Sequence, residues 1–179
     1  PVVKQLHELK IPVSIDTYKP NVAKVCLDAG AVMVNDVSGL GNELLAVVSK
    51  YDVPVVVMHQ FSKKEERYNI INEVKSYLCD RIARAYHAGV SEIIIDPGIG
   101  FGKTPEQNVE ILERLCEFHS LYCPVLIGPS RKTFVKNNKK LMTFDALVTG
   151  IQHGADFVRV HDVLLAKKAV CCVKTKNHS

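Results

Sequence analysis

A carboxylate set between an apolar run and a glycine-rich loop is the strongest chemical signal in the sequence. Residues 93–103 read Ile-Ile-Ile-Asp-Pro-Gly-Ile-Gly-Phe-Gly-Lys. Three consecutive β-branched residues are typical of a strand buried on both faces. Asp96 is therefore expected at the carboxyl end of that strand, where α/β folds bind their ligands. Gly98, Gly100 and Gly102 allow backbone conformations and close approaches that a side chain prevents. An ordinary tight turn with a capping carboxylate is the alternative.

Polar side chains also end the other predicted strands. Because the carboxyl ends of parallel strands converge, this pattern predicts one polar site above the sheet. Asp16, Asn35 and Asp96 supply carboxylate and amide groups, which suit a heterocycle that carries amino and ring N–H donors. The alternatives are local ones. Asp16 and Asp36 could each cap the helix that follows, and His59 could be a packing residue.

Cationic side chains form a second group at the ends of the last two strands. Lys132, Arg159 and His161 supply hydrogen-bond donors and positive charge, which suit a phosphate or pyrophosphate. Arg159 and His161 alternate along their strand and should project from one face of it. Residues 130–132 are expected to open a short helix, whose N–H groups and positive end favour an anion. A basic turn at 130–132 and a chance surface pair at 159 and 161 are the alternatives.

Strand-like and helical segments alternate along the chain. The predicted strands are 12–16, 31–36, 54–59, 92–96, 124–128 and 157–161. Predicted helices lie between them, including 20–30 and 66–88, and residues 104–107 (Thr-Pro-Glu-Gln) have the pattern of a capped helix start. The alternation predicts parallel βα units with right-handed crossovers. Six units fit either an open doubly wound sheet or most of an eight-stranded barrel, and a full barrel needs about 250 residues.

The composition is that of a globular protein with a single domain, 1–179. Of the 179 residues, 47% are hydrophobic and 23% are charged, which is ordinary for such proteins. The formal charge of +4 fits an anionic substrate, but the dense basic stripe of a nucleic-acid binder is missing. The six cysteines show no paired-ligand spacing, which favours reduced thiols. Without a signal peptide or an apolar run of about 20 residues, no membrane partner is expected. A cytoplasmic location is predicted, or an organelle if the source is eukaryotic.

Motifs at the six strand ends resemble those of the dihydropteroate synthase family, in the family's order and across nearly the whole chain. They are SIDTYKP at 14–20, VNDVSG at 34–39, VVMH at 56–59, DPGIGFGK at 96–103, GPSRKTF at 128–134 and GADFVRVHDV at 154–163. The resemblance implies a TIM (β/α)8 barrel, here represented by about six βα units. It also implies the family's reaction in folate biosynthesis. In that reaction 6-hydroxymethyl-7,8-dihydropterin pyrophosphate condenses with p-aminobenzoate to give 7,8-dihydropteroate and pyrophosphate, and sulfonamides compete for the aminobenzoate site.

The resemblance further implies a role for each matching residue. Pterin contacts are expected from Asp16, Asn35, Met58, Asp96, Gly128, Lys132 and Arg159. Aminobenzoate contacts are expected from Phe101, Ser130 and Thr133, and pyrophosphate contacts from Arg159 and His161. The expected catalytic residues are Lys132, Arg159 and His161. Ionisation of a C–O bond would leave a cationic pterin methylene for the amine to attack, while Arg159 and His161, with Mg2+, neutralise the departing pyrophosphate.

Part of the family pattern has no counterpart in the sequence. The family's first two strands would precede residue 1, so the chain is expected to be an N-terminally incomplete domain that is inactive alone. The first of those strands supplies an Asn that ligates the metal, and no Mg2+ ligand is therefore expected within residues 1–179. The resemblance also implies a homodimer and leaves open a fusion to other folate-pathway enzymes.

Two other functions fit part of the pattern. A pterin-binding methyltransferase barrel for methyltetrahydrofolate uses similar Asp and Asn contacts. Its methyl donor needs no pyrophosphate cradle, however, and Arg159 with His161 predicts one. A non-catalytic pterin-binding domain of a multidomain folate protein is harder to distinguish, because retained motifs do not prove turnover.

Overall fold

The computed structural model describes residues 1–62, 68–129, 134–136, 139–141 and 143–176. The chain divides into two compact units. The first comprises Pro1–His59 and Ser76–Ile95, and the second comprises Gln60–Lys75 and Asp96–Ser179. Strands and helices alternate along the chain, so the predicted α/β class is confirmed.

A four-stranded sheet lies at the centre of the first unit. Its strands, in spatial order, are β1 (Ser14–Asp16), β2 (Met33–Asp36), β3 (Val55–Met58) and β4 (Ile93–Asp96). β1 pairs parallel with β2, and β2 pairs parallel with β3. The register places Asp16 opposite Asn35, so two of the predicted polar strand ends are direct neighbours. The accompanying helices are α1 (Val2–Glu8), α2 (Pro20–Asp28), α3 (Asn42–Val48) and the part of α4 (Ile70–His87) that begins at Ser76.

Two strands and one helix of this unit test the burial predictions. β3 and β4 are buried along their whole length, as the apolar runs predict. On α4 a four-residue step predicts that Tyr86 continues the buried stripe of Leu78 and Ile82. Tyr86 is instead 49% exposed, and Ala85 is buried in its place. A four-residue step overshoots the 3.6-residue turn by about 40°, so the buried stripe drifts back by one position.

The second unit contains two strand pairs and the remaining helices. β5 (Leu126–Ile127) pairs parallel with β8 (Phe157–Val158), and β6 (Phe134–Lys136) pairs antiparallel with β7 (Lys139–Leu141). The helical segments are α5 (Pro105–Glu113), a 3-10 helix (Leu115–Leu121), α6 (Thr143–Gln152) and α7 (Val163–Lys176).

The start of α5 confirms the capping prediction. The Gln107 amide donates to Thr104 Oγ1 at 3.3 Å, and the Thr104 amide donates to Gln107 Oε1 at 2.9 Å. This reciprocal capping box satisfies two N–H groups that an uncapped helix end would leave unpaired. The position where the glycine-rich segment ends and α5 begins is therefore set by local sequence.

The segment after β5 also carries a prediction. A short helix was expected to open at 130–132, and residues 130–133 lie outside the described residues, so this expectation stays a prediction. The next described residues form β6, with Phe134 opposite Leu141 in the antiparallel pair with β7. The Phe-Val sequence favours a strand, and a helix therefore does not include residues 134–136.

Candidate functional site

Asp16 and Asn35 meet at the carboxyl edge of the first unit's sheet. Asn35 Nδ2 donates to Asp16 Oδ2 at 3.1 Å, and the Thr17 amide donates to the Asn35 carbonyl at 3.0 Å. Asn35 is buried, whereas Asp16 is exposed. Asp16 does not cap α2, whose N-cap residue is Lys19. The structure thus brings these two predicted residues together and leaves carboxylate oxygen exposed for a donor.

Asp36, one residue further along β2, serves its own loop. It is fully buried, and it accepts hydrogen bonds from the Ser38 amide at 2.7 Å, the Ser38 hydroxyl at 3.0 Å and the Leu40 amide at 2.5 Å. Leu40 has a φ of 60°, and Gly39 before it has a φ of 85°. Asp36 therefore holds a left-handed turn that leads into α3. The capping alternative for Asp36 is therefore wrong, because the N-cap residue of α3 is Gly41 and no side chain caps that helix.

Met58 and His59 end β3 inside the first unit. Met58 is fully buried, and His59 is 1% exposed. The His59 ring meets the Tyr77 ring edge-on, with centroids 4.9 Å apart at an interplanar angle of 90°. This contact is what the packing interpretation of His59 predicts. The proposed contact of Met58 with a pterin stays a prediction.

Asp96 is the buried carboxylate of the second unit. Its side chain is 1% exposed; Oδ1 accepts the Gly98 amide at 2.7 Å, and Oδ2 accepts Arg159 Nη2 at 2.9 Å. A buried carboxylate needs such partners, because desolvating it without them costs several kcal/mol. The turn interpretation holds for one oxygen only. The other oxygen meets a cation from a residue 63 positions away.

Arg159 reaches Asp96 across a glycine. Its backbone amide donates to the Ile127 carbonyl at 2.9 Å, which anchors it beside β5. A Cβ added to Gly128 would lie 2.9 Å from Arg159 Nη2, closer than carbon and nitrogen approach without a bond. Gly128 therefore clears the path of the guanidinium. The predicted partner His161 lies two residues beyond Arg159, with an exposed side chain.

The segment that we call the glycine loop, residues 98–102, follows Asp96. Gly98, Gly100 and Gly102 have φ values of 71°, 81° and 63°, which confirms that the loop uses conformations that glycine favours. Phe101, predicted to border the aminobenzoate site, is half-buried in this loop. The three glycines thus serve a compact turn that carries one aromatic side chain.

Lys103 is the residue that sequence reasoning missed. Its side chain is 1% exposed, and Nζ donates to the carbonyls of Gly98 at 2.8 Å and Phe101 at 3.2 Å. Lysine is rarely buried in this way. The available signal was a lysine directly after a loop of three glycines, whose inward carbonyl groups need a donor.

Three of the predicted residues cannot be placed. Ser130, Lys132 and Thr133 lie outside the described residues, so their roles stay predictions.

The described residues include no group of three or more His, Cys, Asp or Glu side chains that could hold a metal ion. The role of Mg2+ therefore stays a prediction. Within the same part of the chain, no helix has the length and apolar character needed to cross a membrane.

Comparisons with known proteins identify the family of the chain. The family model described as pterin binding enzyme matches residues 1–161. The chain is 40% identical to the dihydropteroate synthase of Synechocystis sp. over 182 residues, covering 91% of this chain and 63% of that protein. It is 41% identical to the dihydropteroate synthase of Clostridium beijerinckii, covering 94% and 67%. A relative from Halobacterium salinarum is named a probable bifunctional folylpolyglutamate synthase/dihydropteroate synthase, with 38% identity over 91% of this chain and 22% of that protein.

Solved structures give the same result. The dihydropteroate synthase of Thermus thermophilus in complex with 4-aminobenzoate matches with a TM-score of 0.88 and 34% identity, covering 98% of this chain and 74% of that one. The Xanthomonas albilineans enzyme in complex with 7,8-dihydropteroate matches with a TM-score of 0.87 and 33% identity, covering 100% and 74%. The predicted fold, a (β/α)8 barrel represented by about six units, is confirmed by these matches. The chain spans about 63% of the length of the Synechocystis relative, and it belongs to the family of pterin-binding enzymes that includes the dihydropteroate synthases.

Proposed function

We propose that the protein that carries this chain is a dihydropteroate synthase. It condenses 6-hydroxymethyl-7,8-dihydropterin pyrophosphate with p-aminobenzoate, and it releases 7,8-dihydropteroate and pyrophosphate. The observation that carries the proposal is the buried Asp96, held by the Gly98 amide and by Arg159 Nη2 at 2.9 Å. The similarity to structures that hold 4-aminobenzoate and 7,8-dihydropteroate supports the choice of substrates.

Asp96 is the proposed anchor of the pterin. An ionised carboxylate only accepts hydrogen bonds and has about four lone-pair sites. Two sites are used by Gly98 and Arg159, so a pterin amino group and ring N–H can bind the others. The resemblance to dihydropteroate synthases suggests three further pterin contacts. They are the hydrogen-bonded pair Asp16 and Asn35 and the apolar side chain of Met58.

Arg159 and His161 are the proposed holders of the pyrophosphate. The C–O bond between the pterin methylene and the pyrophosphate breaks, and its electron pair leaves with the pyrophosphate oxygen. The Arg159 guanidinium and a hydrogen bond donated by His161 offset that charge as it develops. The aminobenzoate nitrogen then forms a C–N bond to the methylene carbon and loses one proton. No covalent bond to the protein is needed.

The remaining residues carry the finer part of the proposal. Gly128 and Lys132 are proposed to contact the pterin, and Lys132 to assist catalysis. Phe101, Ser130 and Thr133 are proposed to receive the aminobenzoate, and a sulfonamide should compete with it there.

Several expectations about the whole protein also stay predictions. They are a magnesium requirement, a homodimer, a cytoplasmic location, fusion to another folate enzyme and inactivity of residues 1–179 alone.

Product formation tests the proposal directly. The protein that carries this chain, given both substrates, should release pyrophosphate and form dihydropteroate in equal amounts. Asp96→Asn should lower kcat/KM by about 10- to 100-fold, because a hydrogen bond to a charged group is lost. Tight binding of the pterin pyrophosphate without any product would contradict the proposal and favour a non-catalytic binding domain.

A further inference from the structure

The ammonium group of Lys103 lies beneath the glycine loop rather than in solvent. The residue is 1% exposed, and Nζ lies 2.8 Å from the Gly98 carbonyl and 3.2 Å from the Phe101 carbonyl. Nζ also lies 5.2 Å from the centroid of the Phe61 ring, within the range of a cation–π contact. Burying an ammonium is costly, so these contacts must offset its lost hydration.

The contacts with Lys103 fix two separate points of the loop. The two carbonyl groups belong to the first residue of the loop and to its aromatic residue, Phe101. A trans peptide bond places C=O and N–H on opposite sides. When one donor binds the Gly98 and Phe101 carbonyls, the orientation of both peptide planes is set.

Two other contacts restrict the same loop from different sides. The Gly100 amide donates to Asn108 Oδ1 at 2.6 Å. Gly102, with a φ of 63°, lies so close to the Phe61 backbone that an added Cβ would stand 2.1 Å from the Phe61 carbonyl oxygen. These two contacts and those of Lys103 together restrict the conformation of the loop.

We propose that Lys103 is a positioning residue for the aminobenzoate subsite. Its ammonium holds the glycine loop in the conformation that presents Phe101, and it touches neither substrate. This inference rests on the proposed function, because Phe101 borders the aminobenzoate only if the protein is a dihydropteroate synthase. Lysine suits the task since it offers three donors on a flexible apolar stem.

Replacing Lys103 by residues of similar length separates the effect of its hydrogen-bond donors from the effect of its packed side chain. Lys103→Met keeps the stem and removes every donor, whereas Lys103→Gln keeps a neutral donor. In the protein that carries this chain, we expect the Met variant to raise KM for p-aminobenzoate about tenfold and KM for the pterin pyrophosphate less than twofold. The Gln variant should lie between the Met variant and the unaltered protein. The exposed Lys24, changed to Met, is the matched control and should leave both KM values unchanged.

Hydrogen exchange of the loop gives a readout that does not depend on turnover. Lys103→Met should speed exchange of the amides of residues 98–102 at least tenfold and leave exchange within α5 unchanged. Gly102→Ala keeps the Lys103 side chain but pushes the loop against Phe61, whose ring lies 5.2 Å from Nζ, and it should raise the aminobenzoate KM in the same way.

Unchanged loop exchange in Lys103→Met, or an equal rise of both KM values, would overturn the proposal. If the unaltered protein forms no dihydropteroate, the proposed function fails. The exchange comparison still decides whether Lys103 holds the loop.

Discussion

Asp36 and Asp96 each end a strand and are equally buried, yet they differ in their partners. Asp36 is fully buried, and within the described part of the chain it binds only groups of Ser38 and Leu40, at most four residues away. Asp96 is 1% exposed and binds a cation 63 positions away. Burial of a strand-end carboxylate therefore does not by itself identify a ligand site. What separates the two is a partner supplied by a distant strand end.

The largest effect should come from removing the distant partner. Arg159→Met leaves the Asp96 carboxylate buried with one partner fewer. We expect a stability loss of about 3 kcal/mol, measured by urea unfolding. We also expect a loss of kcat/KM on the order of 100- to 1000-fold, since a donor to the leaving group is removed.

Arg114→Met is the control for this change. Arg114 pairs with Glu110 at 2.7 Å and Glu117 at 2.6 Å on the surface. Exposed ion pairs contribute little, so both measurements should barely change. Equal losses in the two variants would erase the distinction between a surface pair and the Asp96–Arg159 pair.

The opposite pattern is expected at Asp36. Asp36→Asn replaces one acceptor oxygen by a donor, so a hydrogen bond to Ser38 or Leu40 is lost in the turn before α3. Stability should fall by about 2 kcal/mol, whereas turnover per folded molecule should stay within about twofold. Thermal unfolding together with activity normalised to the folded fraction measures both. A tenfold loss of turnover would place Asp36 in the site.

A smaller effect is expected from crowding Arg159. Gly128→Ala places a Cβ 2.9 Å from Nη2, so the guanidinium must shift away from Asp96. A loss of about tenfold in kcat/KM is expected, since small displacements of catalytic groups are costly. Gly41→Ala is the control, because an added Cβ there meets nothing within 4 Å. Similar activity in the two variants would show that the reaction does not need the space that Gly128 leaves for Arg159.

The smallest effect concerns a carboxylate on the surface. Hydrogen bonds from Lys24 at 2.7 Å and then from Tyr51 at 2.7 Å hold the pKa of Asp28 below its usual value. A depressed pKa contributes stability that is present at neutral pH and is lost as pH falls through the folded-state pKa. Because Asp28 is exposed, this contribution should be slight. In Lys24→Met the Asp28 pKa, followed by NMR, should rise toward its usual value; no rise would show that the bond is absent in solution.

Features set by local sequence were predictable. The three isoleucines before Asp96 form a buried strand, because β-branched residues favour that environment. The Thr104 and Gln107 capping box follows from two residues three positions apart. The alternation of strands and helices could be read because each element carries its own periodicity.

Features set by tertiary contacts were not predictable in the same way. The roles of Asp16 and Asp36 depend on which groups surround each carboxylate, and both follow an apolar run. The burial of Lys103 has only a weak local signal, its place directly after three glycines, since its partners are carbonyl groups oriented by the folded loop. The antiparallel pairing of β6 with β7 is a cross-strand contact, which the sequence after Gly128 does not reveal alone.

Turnover of the two aspartate variants, measured side by side, tests whether Asp96 serves the reaction and Asp36 only its own turn. Pyrophosphate release should be compared for the unaltered protein, Asp96→Asn and Asp36→Asn, each normalised to the folded fraction. We predict that Asp96→Asn loses about 10- to 100-fold in kcat/KM and that Asp36→Asn stays close to the unaltered protein. Equal rates for Asp96→Asn and the unaltered protein would contradict the role assigned to Asp96.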